Sequence, residues 1–224
     1  MKIVVLTGAG ISAESGISTF RDVNGLWENH DIMEVASIDG YLKNPELVQD
    51  FYNQRRKQLF DVTPNAAHYF LKELENEFDV TIITQNVDDL HERAGSKNII
   101  HLHGELRKAK SDKDENLVYD WNDDIKIGDL AEDGNQLRPA IVWFGEMVPM
   151  MDNAIDEVLK ADILIVIGTS LQVYPAASLL DYASTKTQII CIDPSDLPIN
   201  SKIKHIKKNA SQGIEDLKSY LNNL

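Results

Sequence analysis

Six short polar clusters carry the chemistry open to this chain: Thr7-Gly8-Ala9-Gly10, Thr84-Gln85-Asn86-Val87-Asp88, His103-Gly104-Glu105, Gly145-Glu146, Gly168-Thr169-Ser170 and Asp193-Pro194-Ser195. Glycines placed straight after an apolar run let backbone N–H groups approach a pyrophosphate with no Cβ in the way, and a helix opening near Ser12 would aim its positive end at the same place. The spacing Gly8-x-Gly10 lacks the third glycine of the usual dinucleotide turn, the next being Gly16, so a tight turn without a ligand is the competing account. Gly168-Thr169-Ser170 offers a side-chain-free turn and two hydroxyls, which suits a phosphate or a ribose, and Asp193 could accept bonds from ribose hydroxyls. His103 has the side chain that titrates near neutrality unaided, as a general base requires. A histidine beside a strand also serves as an ordinary satisfied polar group, the role expected of His101, and Asn86 and Asp88 belong to the types that cap helices.

These clusters lie at the ends of short apolar runs at 3–6, 80–83, 99–102, 140–144, 163–167 and 189–192, with helical patterns at 45–60, 65–77, 151–160, 176–184 and 211–224. Continuous apolar strands alternating with helices predict an α/β fold, a Rossmann-like, doubly wound, mostly parallel sheet. Ligands of such sheets bind beyond the carboxyl ends of the strands, so one crevice would collect all the clusters. Two stretches break the alternation: a mainly helical insertion at about 26–64 and a polar, acidic one at about 105–139. The second is expected to form a small lobe with a mobile edge, anchored on Trp121 and a few apolar neighbours. A length of 224 residues suits one α/β domain, or a large domain with a small appendage.

A formal charge of -14 argues against general affinity for nucleic acid or an anionic membrane, which calls for Lys and Arg opposite phosphates. No apolar stretch reaches bilayer length, and the first strand begins directly after Met1-Lys2, so the expectation is a cytoplasmic protein without a signal peptide or membrane partner, with a monomer favoured. Cys191, the one cysteine, sits in the apolar run Ile189-Ile190-Cys191-Ile192, which makes it core filler and excludes an intrachain disulfide or a cysteine-rich zinc site.

At the level of motifs the chain resembles the sirtuins, the NAD-dependent protein deacylases. Gly8-Ala9-Gly10-Ile11-Ser12 through Phe20-Arg21-Asp22, Thr84-Gln85-Asn86-Val87-Asp88-Asp89-Leu90-His91, His103-Gly104, Ile141-Val142-Trp143-Phe144-Gly145-Glu146, Gly168-Thr169-Ser170-Leu171 and Pro175-Ala176-Ala177 stand in that family's order across most of the chain. The resemblance implies that NAD is consumed as a co-substrate, with lysine freed and nicotinamide and an O-acyl-ADP-ribose released. It implies His103 as the general base on a ribose hydroxyl. Asn86, Asp88 and Ile11 would surround the nicotinamide and its ribose, with Gln85 close by and Phe20, Arg21 and Asp22 carried over the reactive centre. By the same implication Gly8, Ala9, Gly10, Gly168, Thr169, Ser170, Asp193 and Ala210 would hold the phosphates and the adenosine. Val142, Phe144, Gly145 and Glu146 would pair with an extended acyl-lysine peptide as an added strand, one of Trp143 and Phe144 being an ordinary core aromatic.

Tyr52 and Arg55 share one face of the predicted helix 45–60, and a guanidinium beside a phenol can receive a carboxylate. Taken alone, Arg55-Arg56-Lys57 is more commonly a solvated helix face. The pair matches the Tyr-x-x-Arg signature of the desuccinylase class of sirtuins, which implies removal of succinyl, malonyl or glutaryl groups beside acetyl. The chain departs from the family in the small lobe, where most sirtuins carry two cysteine pairs: 105–139 has no cysteine and no histidine, and no zinc is expected. Ser18 stands where the family has proline and Asp193 where it has asparagine. Two other accounts share the NAD contacts, an NAD glycohydrolase or ADP-ribosyltransferase and, from another class, a noncatalytic NAD-binding sensor.

Overall fold

Ile3-Val4-Val5-Leu6 and Ile163–Ile167 are sealed from solvent on both faces, the environment that continuous apolar runs rich in β-branched residues require. The computed structural model describes residues 1–18, 26–27, 30–197, 199 and 203–223. Its elements in chain order are β1 (Lys2–Thr7), α1 (Ala9–Ala13), the antiparallel pair β2 (Leu26–Trp27) and β3 (His30–Asp31), then α2 (Ile32–Val35), α3 (Ile38–Lys43), α4 (Pro45–Gln58) and α5 (Ala66–Leu74). Next come β4 (Asp79–Thr84), α6 (Leu90–Ala94), β5 (Ile99–His101), β6 (Gly104–Ser111), β7 (Val118–Asp120) and β8 (Leu137–Ile141). The chain ends with α7 (Met151–Leu159), β9 (Ile163–Ile167), a 3-10 helix at Ala176–Tyr182, β10 (Gln188–Ile192), β11 (Lys204–Ile206) and α8 (Ala210–Leu221).

Six strands form one parallel sheet in the order β11-β10-β9-β1-β4-β5. From β1 the chain winds outward to β4 and β5, then returns past β1 to lay down β9, β10 and β11 on the other side. The order therefore reverses between β1 and β9, and the crevice of a doubly wound sheet opens where the two strands end, at Gly8 and Gly168. One face of the sheet packs Ile3, Val5, Ile82 and Ile165 against Ala67 and Leu71 of α5 and Ile214 and Leu217 of α8. The other packs Val4, Leu6, Leu164 and Val166 against Ala154 and Val158 of α7 and Ala176 and Leu179 of the 3-10 helix. Among the described residues, no helix is long and apolar enough to cross a membrane.

Two local expectations are corrected. The run 140–144 does not join the parallel sheet; β8 pairs antiparallel with β6 (Ser111 opposite Leu137, Ala109 opposite Pro139), and 142–146 continue as a loop. An apolar run reports burial but not which sheet buries it. Helix α1 opens at Ala9, not near Ser12, and spans five residues. The acidic stretch forms the expected small lobe, a three-stranded sheet, β7-β6-β8, with a core of Ala109, Ile125, Ala131 and Leu137 flanked by Tyr119 and Trp121. Its acidic turns are tied: Ser111 Oγ donates to Asp133 at 2.7 Å, and Asp112 N to the Gln136 carbonyl at 2.9 Å.

Helix α4 joins this lobe to the rest. Asn44 caps its first turn by accepting from Leu47 N, and Pro45 fills the first position, where a missing N–H costs nothing. Gln49 donates to the Leu137 carbonyl, Asn53 exchanges two bonds with the Ile125 backbone, and Arg56 Nε donates to the Leu106 carbonyl at 2.8 Å. Arg56 is thus buried at the lobe junction, not part of a solvated face.

Candidate active site

The turns after β1 and β9 touch through backbone alone. Gly8 N donates to the Ile167 carbonyl at 3.0 Å and Gly10 N to the Gly168 carbonyl at 2.8 Å. A Cβ on Gly10 would lie 2.6 Å from Gly168 Cα, and one on Gly168, whose φ is +64°, would lie 2.3 Å from Ile11 N. Only glycine fits at either place. Above this seam opens a cavity of about 740 Å³. Gly8, Ala9, Gly10, Gln85, Asn86, Asp88, His103, Gly168, Thr169, Ser170, Asp193 and Ala210 line it, together with Tyr52, Arg55, Val142, Phe144, Gly145 and Glu146. Clusters far apart in sequence are thereby gathered in one place. Ile11 is the exception: its side chain is fully buried in the core between the sheet, α5 and α8, because its position on α1 turns it away from the cavity. Phe20, Arg21 and Asp22 lie outside the described residues.

A buried polar network underlies the cavity floor. Ser12 Oγ donates to Asp88 Oδ2 at 2.9 Å, and Leu90 N donates to Asp88 Oδ1 at 3.1 Å. The latter bond closes a turn just before α6, whose cap residue is Asp89 and makes no side-chain cap bond, so Asp88 is not the helix cap. Burial raises the Asp88 carboxyl to about 6, against the two donors, which pull it down. Asn86 Nδ2 donates to the Gly8 carbonyl at 3.2 Å and to Ser12 Oγ at 3.1 Å, and Gln85 Nε2 to Thr169 Oγ1 at 3.1 Å, linking the ends of β1, β4 and β9. Sequence reasoning passed over Ser12, which is fully buried between Asn86 and Asp88; a hydroxyl on the inner face of a glycine-turn helix was the available signal. Asp193 Oδ1 accepts from Ser195 N at 2.9 Å, which orients the carboxylate at the end of β10.

His103 Nδ1 lies 2.9 Å from the Gln85 carbonyl, which can only accept. The proton of the neutral ring therefore sits on Nδ1, leaving a lone pair on Nε2. Burial lowers the pKa of this imidazole, outweighing the bond to Gln85. The ring is held in its basic form. His101 is different: despite burial, its bond to Glu92 raises its pKa, the behaviour of an ion-paired structural histidine.

The part of the lining that includes Tyr52 rests on its own hydrophobic cluster, in which Trp27, Tyr41, Phe51, Tyr52 and Trp143 are buried together. Tyr52 is 1 % exposed, and burial pushes its hydroxyl pKa up, so it is a neutral donor at all ordinary pH. The Arg55 guanidinium lies 4.3 Å from the centre of the Trp27 ring, one turn along α4, and is held there by cation–π contact. Phe144 is half exposed while Trp143 is buried, as expected for one of the two. Phe144 already exchanges bonds with 36–38, donating to the Ala36 carbonyl at 2.9 Å and accepting from Ile38 N at 3.1 Å. The Glu146 carboxylate pairs with Arg138 and accepts from Trp143 N at 2.9 Å, which leaves its role toward a peptide to the backbone. The Arg138 guanidinium, 4.2 Å from the centre of the Trp143 ring, closes this clamp behind 142–146. Sequence reasoning missed Arg138, whose partner lies across a strand end that no helical or strand spacing predicts.

The comparisons agree with this geometry. The Sir2 family profile matches residues 8–175. An NAD-dependent protein deacylase of Helicobacter pylori (strain ATCC 700392 / 26695) is 60% identical over 219 residues, covering 96% of this chain and 95% of its own. The solved complex of a Sir2 homologue with NAD superposes with a TM-score of 0.88 at 41% identity, over 99% of this chain and 90% of the other. A solved Sir2 complex with a p53 peptide and NAD+ superposes with a TM-score of 0.82 at 30% identity, over 99% and 94%. On its motifs, its sheet order and these matches, the chain belongs to the Sir2 family.

Proposed function

We propose that the chain is an NAD-dependent protein-lysine deacylase whose reaction takes place in the cavity above the β1 and β9 turns. The observation that carries this reading is a neutral His103, its Nε2 lone pair clear of the Nδ1–Gln85 bond, in the same cavity as the glycine turns and a buried carboxylate. The site fits the dinucleotide. Gly8, Gly10 and Gly168 let the two turns close together beneath the cavity, Thr169, Ser170 and Asp193 suit ribose hydroxyls, and Asp88 has lone pairs beyond those that Ser12 and Leu90 use. When bound, NAD supplies an electrophilic ribose carbon whose nicotinamide departs.

The chemistry then falls to the chain's own groups. His103 Nε2 takes a proton from a ribose hydroxyl, and the backbone carbonyl of Gln85 orients the resulting imidazolium. Asn86 and Asp88 hold the nicotinamide end, while Ala9 and Ala210 flank the rest. Val142 and Gly145 offer backbone to an acyl-lysine peptide, which enters as an added strand beside Phe144. The helical insertion 26–64 supplies the acyl end of the cavity and the lobe 105–139 supports it through α4. Tyr52 and Arg55, both lining the cavity, support a carboxylate-bearing acyl group, succinyl first and malonyl or glutaryl with it, beside acetyl.

Mass spectrometry of the products from NAD with acetyl- and succinyl-lysine peptides tests the reading. O-acyl-ADP-ribose together with free lysine is the expected outcome. Free ADP-ribose with unchanged peptide would instead identify a glycohydrolase, mass added to protein a transferase, and no reaction a sensor.

A further inference from the structure

Outside the cavity three side chains from three elements converge: Glu92 on α6, His101 on β5 and Glu105 on β6, with one donor atom of each within 4.8 Å of the other two. We infer that this cluster is a binding site for a borderline divalent cation, zinc foremost, held by His101 Nε2 and one oxygen each from Glu92 and Glu105. One imidazole with two carboxylates is a donor set that zinc accepts, and three protein ligands leave a position for water.

The donors are gathered at one place and need only side-chain shifts to share an ion. His101 Nε2 lies 2.6 Å from Glu92 Oε1, which holds the ring at the mouth of the cluster. The histidine side chain is only 11% exposed beneath the carboxylates, whereas Glu92 and Glu105 are 39% and 34% exposed, so a cation can enter from solvent without opening the fold.

The present occupant on the lobe side is the ammonium of Lys108, 2.8 Å from Glu105 Oε2. That pair is on the surface, where ion pairs contribute little, and a flexible lysine can swing into water. Coordination at Nε2 releases to solvent any proton that the ring shares with Glu92, and Lys108 is displaced. The site lies at the base of the small lobe, away from the lobe's core of Ala109, Ile125, Ala131 and Leu137. A bound cation would fasten α6, β5 and β6 together, directly beside the segments that carry Asp88 and His103.

The test is a titration of zinc chloride into untagged, chelator-stripped full-length protein by calorimetry, with melting temperature followed in parallel. One saturable site per chain is expected, with a rise in melting temperature on adding zinc. Glu105→Gln and Glu92→Gln, at partly exposed positions that tolerate substitution, should each weaken binding about tenfold or more and abolish the thermal shift. Lys108→Met should bind zinc at least as tightly as the parent. His101→Ala should lose the site, and if it does not fold the two glutamine variants still decide. No saturable binding, or glutamine variants that bind as the parent does, would overturn the assignment.

Discussion

Asp88→Asn should make the protein more stable and less active at once. The Asp88 carboxyl is buried and its pKa is raised from 3.8 to about 6, so at neutral pH folding must carry an ionised group into a site that disfavours it. At about 1.36 kcal/mol per unit, the difference amounts to about 3 kcal/mol lost by ionisation. Because the folded pKa is the higher one, the stabilising contribution of the protonated carboxyl is complete below pH 3.8 and is lost as pH rises through about 6. Asparagine mimics the protonated form, keeps an oxygen for Leu90 N and places an NH2 toward Ser12 Oγ. The gain should therefore be full above pH 6 and vanish near pH 4, which for a chain of this size corresponds to roughly 6–12 °C in Tm at neutral pH. Thermal unfolding followed by circular dichroism from pH 4 to 8, without NAD, measures it. A variant no more stable than the parent at pH 7, or equally stabilised at pH 4, would refute the claim that burial, and not the donors, dominates this carboxylate. Deacylation by the same variant should fall sharply, because the ionised oxygen is what the ligand would meet.

His103→Ala should keep the parent's Tm within about 1 kcal/mol equivalent and lose about 10²–10⁴ in deacylation rate, read as O-acyl-ADP-ribose formed. Because burial lowers the pKa of His103, the acid limb of the parent's kcat should lie below the ordinary 6.5 of imidazole and be missing from the variant's residual rate. Arg55→Met should lower the succinyl-to-acetyl ratio of kcat/KM by about 10- to 100-fold, the worth of a charge-assisted bond, and an unchanged ratio would remove Arg55 from acyl selection. Arg138→Met leaves Glu146 paired only with Trp143 N and should cost about 3–5 kcal/mol with a raised KM for peptide; Arg138→Met with Glu146→Gln should recover a large part of that loss in chemical denaturation.

The parallel sheet was legible because strands buried on both faces are written as apolar runs, unbroken in Ile3–Leu6 and Ile163–Ile167 and interrupted only by Thr81 in Val80–Ile83. Strand β11 was not, since Lys204-His205-Ile206 is a short edge whose alternation is too brief to register. The cavity was legible from the polar clusters at the carboxyl ends of the strands, which have one place to meet. Side-chain direction was the weaker link. Ile11 looked like a pocket residue and faces the core, and the pairing of the Glu146 carboxylate with Arg138 went unseen, because both depend on neighbours remote in sequence or set by a loop. The arginines of α4 divide likewise: Arg55 faces the cavity and Arg56, one residue on, stitches the helix to the lobe.

That division on α4 bears on how such an enzyme can change over evolutionary time. Tyr52 belongs both to the cavity wall and to the hydrophobic cluster that includes Trp27 and Trp143, so a mutation that alters acyl choice there also lowers folding stability. Arg55 contributes its charged end to the wall while its neighbours Asn53 and Arg56 keep the helix docked. Under the proposed acyl selection, a change of substrate range costs less folding stability at position 55 than at position 52.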